Sequence, residues 1–249
     1  MENTKVVVKN LTKKYDDLLV LNDISFSVKK GEFLVLVGPT GCGKTTFLNS
    51  LTKIIDINKG QILIDDEPVD PKKHDLAYIL QEYSTMPWLT VEQNIGYGLK
   101  IKGWDKKAIK KKVDEVIDVV HLGEFRKFYP GELSLGMARR AALARAFAVL
   151  PDLLILDEPF VSLDDANAQR LRGLLLTLWQ SKGCTALMVT HNVKEAAMLA
   201  DKILVLSARP TTKIAEIEVD VPQAERDTAY LDEISEKVRQ TGLVELPQP

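Results

Sequence analysis

The stretch that decides the fold runs from Phe33 to Thr46 and reads FLVLVGPTGCGKTT. Its first five residues form a continuous apolar run, as in a buried strand. Apolar side chains then recur at helical spacing, at Phe47, Leu48, Leu51, Ile54 and Ile55. The sequence therefore predicts a strand that leads into a glycine-rich turn, which in turn opens a helix.

A turn in this setting is suited to binding phosphate. Gly38, Gly41 and Gly43 let backbone N–H groups approach phosphate oxygens, and the helix N-terminus adds a positive dipole end. Lys44 is predicted to reach the β- and γ-phosphates, and the Thr45 hydroxyl to complete the coordination of Mg²⁺. The predicted nucleotide-binding loop comprises Gly38, Pro39, Thr40, Gly41, Cys42, Gly43, Lys44, Thr45 and Thr46.

Composition narrows the class of protein. The 249 residues include 33 basic and 35 acidic side chains, so the net charge of −2 gives no general reason to bind nucleic acid. The only cysteines, Cys42 and Cys184, cannot form a disulfide framework, which suits a reducing compartment. The sequence shows no signal peptide and no run of about 18 apolar residues. We expect any work at a membrane to depend on another protein.

The first quarter of the chain predicts an antiparallel β layer packed beside the nucleotide core. Apolar residues alternate at Ile24, Phe26 and Val28, and short apolar runs occupy 6–8 and 62–64. Tyr15 falls in the connection between the first two strands. Two interpretations of it remain open, a rim aromatic or a ring that stacks on the purine.

The middle of the chain predicts an inserted helical subdomain, over 88–150. Lys44 and Asp157 are much further apart than the roughly 30 residues of a strand–helix–strand unit. One predicted helix has an apolar face between Ile109 and Val120. A run of lysines lies largely on its opposite, solvated face: Lys106, Lys107, Lys110, Lys111 and Lys112. A second helix, 135–149, follows Ser134, a favourable N-cap.

A second buried strand, 153–156, ends in two carboxylates. The carboxyl end of such a strand is where an open α/β sheet binds its ligand. Asp157 is predicted to hold Mg²⁺, directly or through water, and Glu158 to orient or deprotonate the attacking water. The alternative, an ordinary acidic loop, is weak after a phosphate-binding loop.

The remaining core continues the α/β pattern. A helix over 167–181 leads to a strand over 185–190, which ends at His191, a residue that we expect to contact the γ-phosphate. A last core strand covers 202–206. In the charged tail from Thr211, only Ile234 and Val238 suggest a small helix face packed on the core.

Together these residues resemble the ATP-binding-cassette ATPases, from about Lys5 to Leu206. The resemblance identifies Gln81 as the Q-loop glutamine, with a catalytic role and a place on Mg²⁺. It also identifies Ser162-Leu163-Asp164 as the D-loop, His191 as the switch histidine and Tyr15 as the adenine-stacking aromatic. It implies an α/β fold: a P-loop NTPase core with a mainly parallel sheet, an N-terminal antiparallel β layer and an inserted α-helical subdomain. The core would cover 1–87 and 151–210, and the tail 211–249.

The signature-like stretch Leu133-Ser134-Leu135-Gly136-Met137 implies a head-to-tail dimer. In the family, the signature of one subunit faces the γ-phosphate bound by the other, so Ser134 and Gly136 would contact the partner's ATP. Leu135 and Met137 depart from the usual pattern of two glycines and a glutamine after the serine.

The subfamily signals favour transport. Pro87-Trp88-Leu89-Thr90-Val91, the Pro159-Phe160 pair and Leu206-Ser207-Ala208-Arg209-Pro210 resemble nitrate, sulfonate and taurine importer ATPases. The run from Gly136 to Ala142, GMARRAA, also resembles ATPases of phospholipid trafficking. Apolar side chains near Gln81 indicate either a partner surface or packing inside the helical subdomain: Tyr83, Met86, Trp88 and Leu89.

The resemblance implies an ATPase that drives a separate permease by ATP-driven dimer closure. Its implied partners are a second copy of the subunit, integral membrane permease subunits and a substrate-binding protein, at the cytoplasmic face of the inner membrane. A soluble cassette of DNA repair or translation usually has a coiled-coil insertion or tandem cassettes. A small-molecule kinase would have no use for Ser134, Gly136 or the Gln81 region.

Overall fold

The computed structural model describes residues 4–82 and 85–242, in two compact units. The first contains the chain up to Leu76 and again from Thr185, and the second is Ala77–Cys184. The strands within the described ranges are β1 (Thr4–Tyr15), β2 (Leu18–Lys29), β3 (Phe33–Val37), β4 (Lys59–Ile64), β5 (Glu67–Pro68), β6 (Leu76–Ile79), β7 (Leu153–Asp157), β8 (Thr185–Thr190), β9 (Lys202–Leu206) and β10 (Lys213–Glu218). The helices there are α1 (Lys44–Leu51), α2 (Val91–Ile101), α3 (Lys106–Val119), α4 (Leu135–Ala148), α5 (Asp165–Lys182), α6 (Val193–Leu199) and α7 (Thr228–Gln240).

The first unit contains the predicted antiparallel β layer, with strand order β2-β1-β4-β5. Val8 lies opposite Phe26 on one side and Ile62 on the other. The alternating residues Ile24, Phe26 and Val28 are all buried, because successive side chains of a strand point to opposite faces. The prediction of this layer is confirmed.

A second sheet of the first unit carries the predicted core strands, in the order β10-β9-β3-β8. Strand β3 pairs in parallel with both β8 and β9, and all its residues are buried. Both faces are thus covered, as its uninterrupted apolar run requires. Strand β10 pairs antiparallel with β9 at the edge of this sheet. From the sequence, this segment was predicted only to be part of a charged tail.

Helix α1 is shorter than its apolar spacing predicts. It ends at Leu51, and Lys53 has a left-handed backbone with φ of 59°. Ile54 is consequently 60% exposed rather than part of the buried helix face. At the other end of the chain, α7 buries Ile234 and Val238, which confirms the small helix face of the tail.

The second unit holds the inserted helices. Side-chain caps begin α2 at Thr90, α3 at Asp105 and, as predicted, α4 at Ser134. The lysine-rich face of α3 is exposed except at Lys112, which is buried and paired with Glu115 at 2.9 Å. The solvated-face prediction is therefore wrong for Lys112, because a long stem can bury its methylenes while its ammonium meets a carboxylate.

Strands β7 and β6 are neighbours in the second unit, and α5 follows the loop after β7. Gly183 ends α5 in the left-handed conformation that favours glycine, with φ of 64°. Within the described ranges no helix has the length and apolar character needed to cross a membrane.

Candidate nucleotide site

The glycine-rich loop of the first unit is shaped by its neighbours. Gly43 has φ of 118°, and a Cβ there would lie 2.8 Å from Val20 Cγ1, so only glycine fits. Gly41 also has a left-handed backbone, with φ of 77°. Among the described residues, no side chain caps the first turn of α1. Its N–H groups therefore face the loop, where an anion would accept from them.

Lys44 lies at the centre of this loop with its side chain buried. Its Nζ donates to the carbonyl oxygens of Gly38 at 3.0 Å and Pro39 at 3.1 Å. These bonds hold the ammonium against the backbone of the loop that precedes α1. A buried ammonium held by carbonyls is a point charge in place for phosphate oxygens.

Thr211 supports the loop from behind, a role that no pattern in the sequence indicated. It is fully buried, and its hydroxyl donates to the carbonyl oxygen of Cys42. Its own backbone bonds to β2, with the Thr211 N–H donating to Val20 at 2.8 Å and its carbonyl accepting from Asn22 at 2.8 Å. The buried Thr211, in the largely exposed segment after β9, thus fixes the backbone of the loop.

His191 emerges at the same sheet edge as the loop. The Gly38 N–H donates to the Thr190 carbonyl at 3.3 Å, so the residues after β3 and β8 are adjacent. The Thr190 hydroxyl donates to Glu195 at 2.7 Å and accepts from the Asn192 N–H at 3.0 Å. These bonds fix the turn that carries the half-buried imidazole of His191.

Tyr15 closes β1 with its side chain 44% exposed. The Lys13 ammonium lies 4.8 Å from the centroid of its ring. An exposed ring beside a cation is a surface on which a planar base can stack. Adenine stacking on Tyr15 stays a prediction.

In the second unit, Asp157 ends β7 with its carboxylate almost fully buried, 2% exposed. The Tyr78 hydroxyl on the neighbouring strand β6 donates to Asp157 Oδ2 at 3.4 Å. Burial, followed by the charge of Asp157, raises the pKa of Tyr78, so its phenol is a neutral donor at physiological pH. The sequence analysis did not identify Tyr78, because its contact with Asp157 depends on β6 and β7 being neighbours in the sheet.

Glu158 begins a strained turn. It has φ of 45°, Ser162 has φ of 63°, and both are non-glycine residues in the left-handed region. Such a conformation costs on the order of 1–3 kcal/mol and persists only where the surroundings hold it. Part of that support comes from Arg139 on α4, whose guanidinium donates to the carbonyls of Pro159 and Val161, both at 3.2 Å.

The signature and D-loop residues meet in the same unit. Asp164 caps α5 by accepting from the Asn167 N–H at 3.0 Å and from its Nδ2 at 2.6 Å. These bonds lower the pKa of Asp164. A Cβ on Gly136 would lie 3.1 Å from Asn167 Oδ1, so the glycine allows the start of α4 to approach α5 closely. Ser134 is exposed at that N-terminus.

The stretch after β6 is largely exposed. Gln81 lies two residues beyond Ile79, the last residue of β6, and its side chain is open to solvent. Trp88 is 71% exposed, so it does not pack inside the helical subdomain, while Met86 and Leu89 are half-buried. Tyr83, which the sequence placed in this cluster, lies outside the described residues.

Each unit carries donors that suit a nucleoside triphosphate or its Mg²⁺. In the first unit, the uncapped start of α1 and the buried Lys44 suit phosphate oxygens. Hydroxyl and carboxylate oxygens are the ligands that Mg²⁺ prefers. In the first unit Thr45 exposes such a hydroxyl, and in the second unit Asp157 carries such a carboxylate, which accepts from the Tyr78 phenol.

Known proteins share this sequence pattern. A family model described as "ABC transporter" matches residues 21–161. The chain is 38% identical over 236 residues to the aliphatic sulfonates import ATP-binding protein SsuB of a Bacillus cereus strain, covering 94% of this chain and 92% of that protein. It is 36% identical over 218 residues to a putative ATP-binding protein of Brucella abortus biovar 1, covering 88% and 84%.

Solved structures share the fold. The dimeric post-hydrolysis state of the ATP-binding cassette MJ0796, bound to ADP and Pi, superposes with a TM-score of 0.75 at 26% identity, covering 87% of this chain and 100% of that one. The structure of cbiO1 from Clostridium perfringens has a TM-score of 0.79 at 23% identity, covering 98% of this chain and 100% of that one. The latter shows likeness of fold alone.

Proposed function

Because this chain belongs to the ABC transporter family and is an ATPase, we propose that it is the ATP-hydrolysing subunit of a membrane importer of the nitrate, sulfonate and taurine type. The observation that carries the proposal is the preformed phosphate-binding loop around Lys44, in a chain 38% identical to an aliphatic sulfonate import protein. The transported solute would be recognised by the permease and a substrate-binding protein.

The proposed reaction is hydrolysis of ATP to ADP and phosphate. A water attacks the γ-phosphorus in line with the leaving ADP, and Glu158 accepts its proton. Lys44, the N–H groups of the loop and His191 stabilise the charge on the γ-phosphate. Thr45 and Asp157 would hold Mg²⁺, with Gln81 beside it, and the ion would neutralise charge on the phosphates when bound.

Two subunits are proposed to close head to tail on two ATP molecules. The dimeric state of MJ0796 supports this arrangement, as does the exposure of Ser134 at the start of α4. Each subunit would bind ATP through its own loop, and the partner's Ser134 and Gly136 would complete the site, with Asp164 nearby. Closure of the dimer on ATP would then move the permease.

The permease contact is proposed to lie in the groove between α2 and α3. This groove has a volume of about 750 Å³ and an apolar floor that includes Leu89, Tyr97, Ile109 and Val113. Its lining carries more positive than negative charge even though Asp114 pairs with two of the cations, Lys110 and Arg126: Lys100, Lys106, Lys110, Arg126 and Lys127 stand against Glu92 and Asp114. The groove therefore suits a segment with an apolar face and acidic flanks.

The test is purification of the tagged protein from its native cells in mild detergent, followed by mass spectrometry. We expect a multi-span membrane protein in near-stoichiometric amount. The double change Lys106→Glu and Lys110→Glu should remove it, whereas Lys107→Glu and Lys111→Glu, on the same helix outside the groove lining, should not. Recovery with ribosomes or DNA-bound proteins, and no membrane partner, would overturn the proposal in favour of a soluble cassette.

Phospholipid trafficking is the second candidate for the transported material. It is favoured by the run GMARRAA in α4, from Gly136 to Ala142. The two candidates differ in the partner recovered. A permease found with a periplasmic solute-binding protein supports solute import, and one found with lipid-binding components supports trafficking.

A further inference from the structure

We propose that Arg139 is a positioning residue that links the signature helix α4 to the loop carrying Glu158, and so sets the place of the Glu158 carboxylate. The inference rests on the proposed role of Glu158 in hydrolysis. Arg139 itself touches neither the nucleotide nor the attacking water in this proposal. It acts on the backbone that presents Glu158.

The contact is made by both arms of one guanidinium. Nη1 of Arg139 donates to the Pro159 carbonyl and Nη2 to the Val161 carbonyl, each at 3.2 Å. The planar fork fixes the angle between its donors, so two bonds from it define the position and the tilt of the loop. A single flexible donor would fix only one point.

The surroundings make this bridge hard to replace by water. Arg139, Pro159 and Phe160 line the same small cavity, of about 10 Å³, with apolar side chains around it. Phe160 is 3% exposed, and Nε of Arg139 is shielded from solvent. Carbonyls in such a place depend on the donors that the protein supplies.

The bridged segment is the part of the loop that most needs support. Both carbonyls lie between Glu158 and Ser162, the two non-glycine residues with left-handed backbones in this turn. Strained residues keep their conformation only where neighbouring structure holds it. Release of the two carbonyls would therefore let the turn relax and displace the Glu158 carboxylate.

The same helix that carries Arg139 begins at Ser134, little more than one turn away. In the proposed dimer, Ser134 meets the partner's ATP. Arg139 therefore connects the end of α4 that senses one ATP to the loop that hydrolyses the other. A second connection involves the close approach of Gly136 to the Asn167 side chain, whose amide donates to Asp164.

Arg140, the next residue on α4, provides a matched control for the loss of an arginine from this helix. Arg140 also lies on α4 and is half-buried, but its Nη1 donates to the carbonyls of Val120 at 2.9 Å and His121 at 3.4 Å, at the end of α3. These bonds anchor the helix within the subdomain, away from the Glu158 loop. Loss of Arg140 tests helix anchoring alone.

The experiment compares Arg139→Gln, Arg139→Lys and Arg140→Gln in the full chain. For Arg139→Gln we expect kcat at saturating ATP to fall about 10- to 100-fold, since small misplacement of a reacting group has costs of this size. ATP affinity should stay within about twofold, as should dimer formation in a Glu158→Gln background. Arg139→Lys should recover part of kcat, and Arg140→Gln should leave kcat within about twofold of the wild type.

Three results would overturn the proposal: normal kcat in Arg139→Gln, equal loss of kcat and ATP affinity, or the same kcat loss in Arg140→Gln. If Arg139→Gln does not fold, Arg139→Lys carries the test, and its kcat should still fall at least about threefold with ATP affinity unchanged. Normal turnover in Glu158→Gln alone would instead refute the proposed role of Glu158. The two failures are thus distinguishable.

Discussion

At the scale of single residues, Glu158 carries the clearest chemical expectation. Glu158→Gln keeps the size of the side chain but cannot accept a proton, so hydrolysis should fall about 10²- to 10⁴-fold. ATP binding should be retained, because Glu158 lies outside the phosphate-binding loop. The checks are steady-state turnover and equilibrium ATP binding, and near-normal turnover would remove Glu158 from the mechanism.

Tyr78 sets a second expectation, for the metal. Its phenol donates to Oδ2 of Asp157, the proposed Mg²⁺ ligand, and hydrogen-bond partners of this kind orient a metal ligand. Tyr78→Phe should raise the Mg²⁺ concentration for half-maximal ATPase activity about 10-fold, the lower end of such effects. Isothermal titration of Mg²⁺–ATP provides a readout independent of turnover. An unchanged Mg²⁺ requirement would mean that Tyr78 only packs.

Thr211 sets a third expectation, for the loop. Thr211→Val preserves the shape but removes the buried hydroxyl that donates to the Cys42 carbonyl. Stability should fall by about 1–3 kcal/mol, the cost of a buried unsatisfied group, and ATP should bind more weakly. Urea unfolding and ATP titration measure these effects. Thr212→Val, whose hydroxyl meets that of Ser207 at 3.2 Å, is the control and should change neither value.

These contacts show which residues of the site a sequence can reveal. Lys44 and Asp157 could be proposed as site residues from the sequence, because each belongs to a local motif at the end of a buried strand. Tyr78, Arg139 and Thr211 are not, because their partners are brought to them by strand order and helix packing. The sequence pattern contains the chemistry of the site, while its supports depend on the tertiary structure.

At the scale of elements, Lys202 on β9 joins three strands. Its ammonium lies 3.5 Å from Glu32, just before β3, and 3.3 Å from both Glu216 and Glu218 on β10. Lys202 and Glu32 are both buried. Burial raises the pKa of Glu32, whereas Lys202 opposes that rise. Strand β10, which the sequence analysis assigned to a charged tail, is thus held to β9 by the ion pairs of Lys202.

Lys202→Met should lower the free energy of unfolding by an amount that depends on pH. Without the cation, Glu32 stays buried and unpaired, and breaking such a pair costs on the order of 3–5 kcal/mol. The pKa of Glu32 should rise further in the folded variant, so the native state takes up a proton as the pH falls. The stability deficit should therefore be largest near pH 8 and smaller near pH 5.

Urea unfolding of the wild type and of Lys202→Met at the two pH values gives this deficit directly. Glu32→Gln in the Lys202→Met background should restore part of the stability at pH 8, because it removes the buried charge. A deficit that does not depend on pH would show that Lys202 contributes packing rather than charge.

Element boundaries were the least predictable feature. The apolar pattern extends to Ile55, yet α1 ends at Leu51, because Lys53 turns the chain into the left-handed region. Strand β10 was missed because its alternating glutamates are typical of an exposed surface. The core strands β3, β7 and β8 were predicted because their burial on both faces demands continuous apolar runs.

At the scale of the whole molecule, the proposed head-to-tail dimer leads to a separate prediction. Ser134→Ala should weaken ATP-dependent dimer formation at least about 10-fold while ATP binding by the monomer stays within about twofold, since bonds to a charged phosphate contribute about 1.5–3 kcal/mol. Light scattering in a Glu158→Gln background measures the dimer. Ser134→Thr, which keeps the hydroxyl and the helix cap, should retain more of it. Equal loss of both values would contradict the dimer.

The exposed indole of Trp88 has a consequence for spectroscopy. The chain has three tryptophans, and Trp88 is the most exposed at 71%, against 37% for Trp104 and 8% for Trp179. Because Leu89, the next residue, lines the groove between α2 and α3, a protein segment seated there would shield the Trp88 ring from water. If the proposed permease segment docks in this groove, we expect Trp88 to emit at shorter wavelength in the complex than in the free protein.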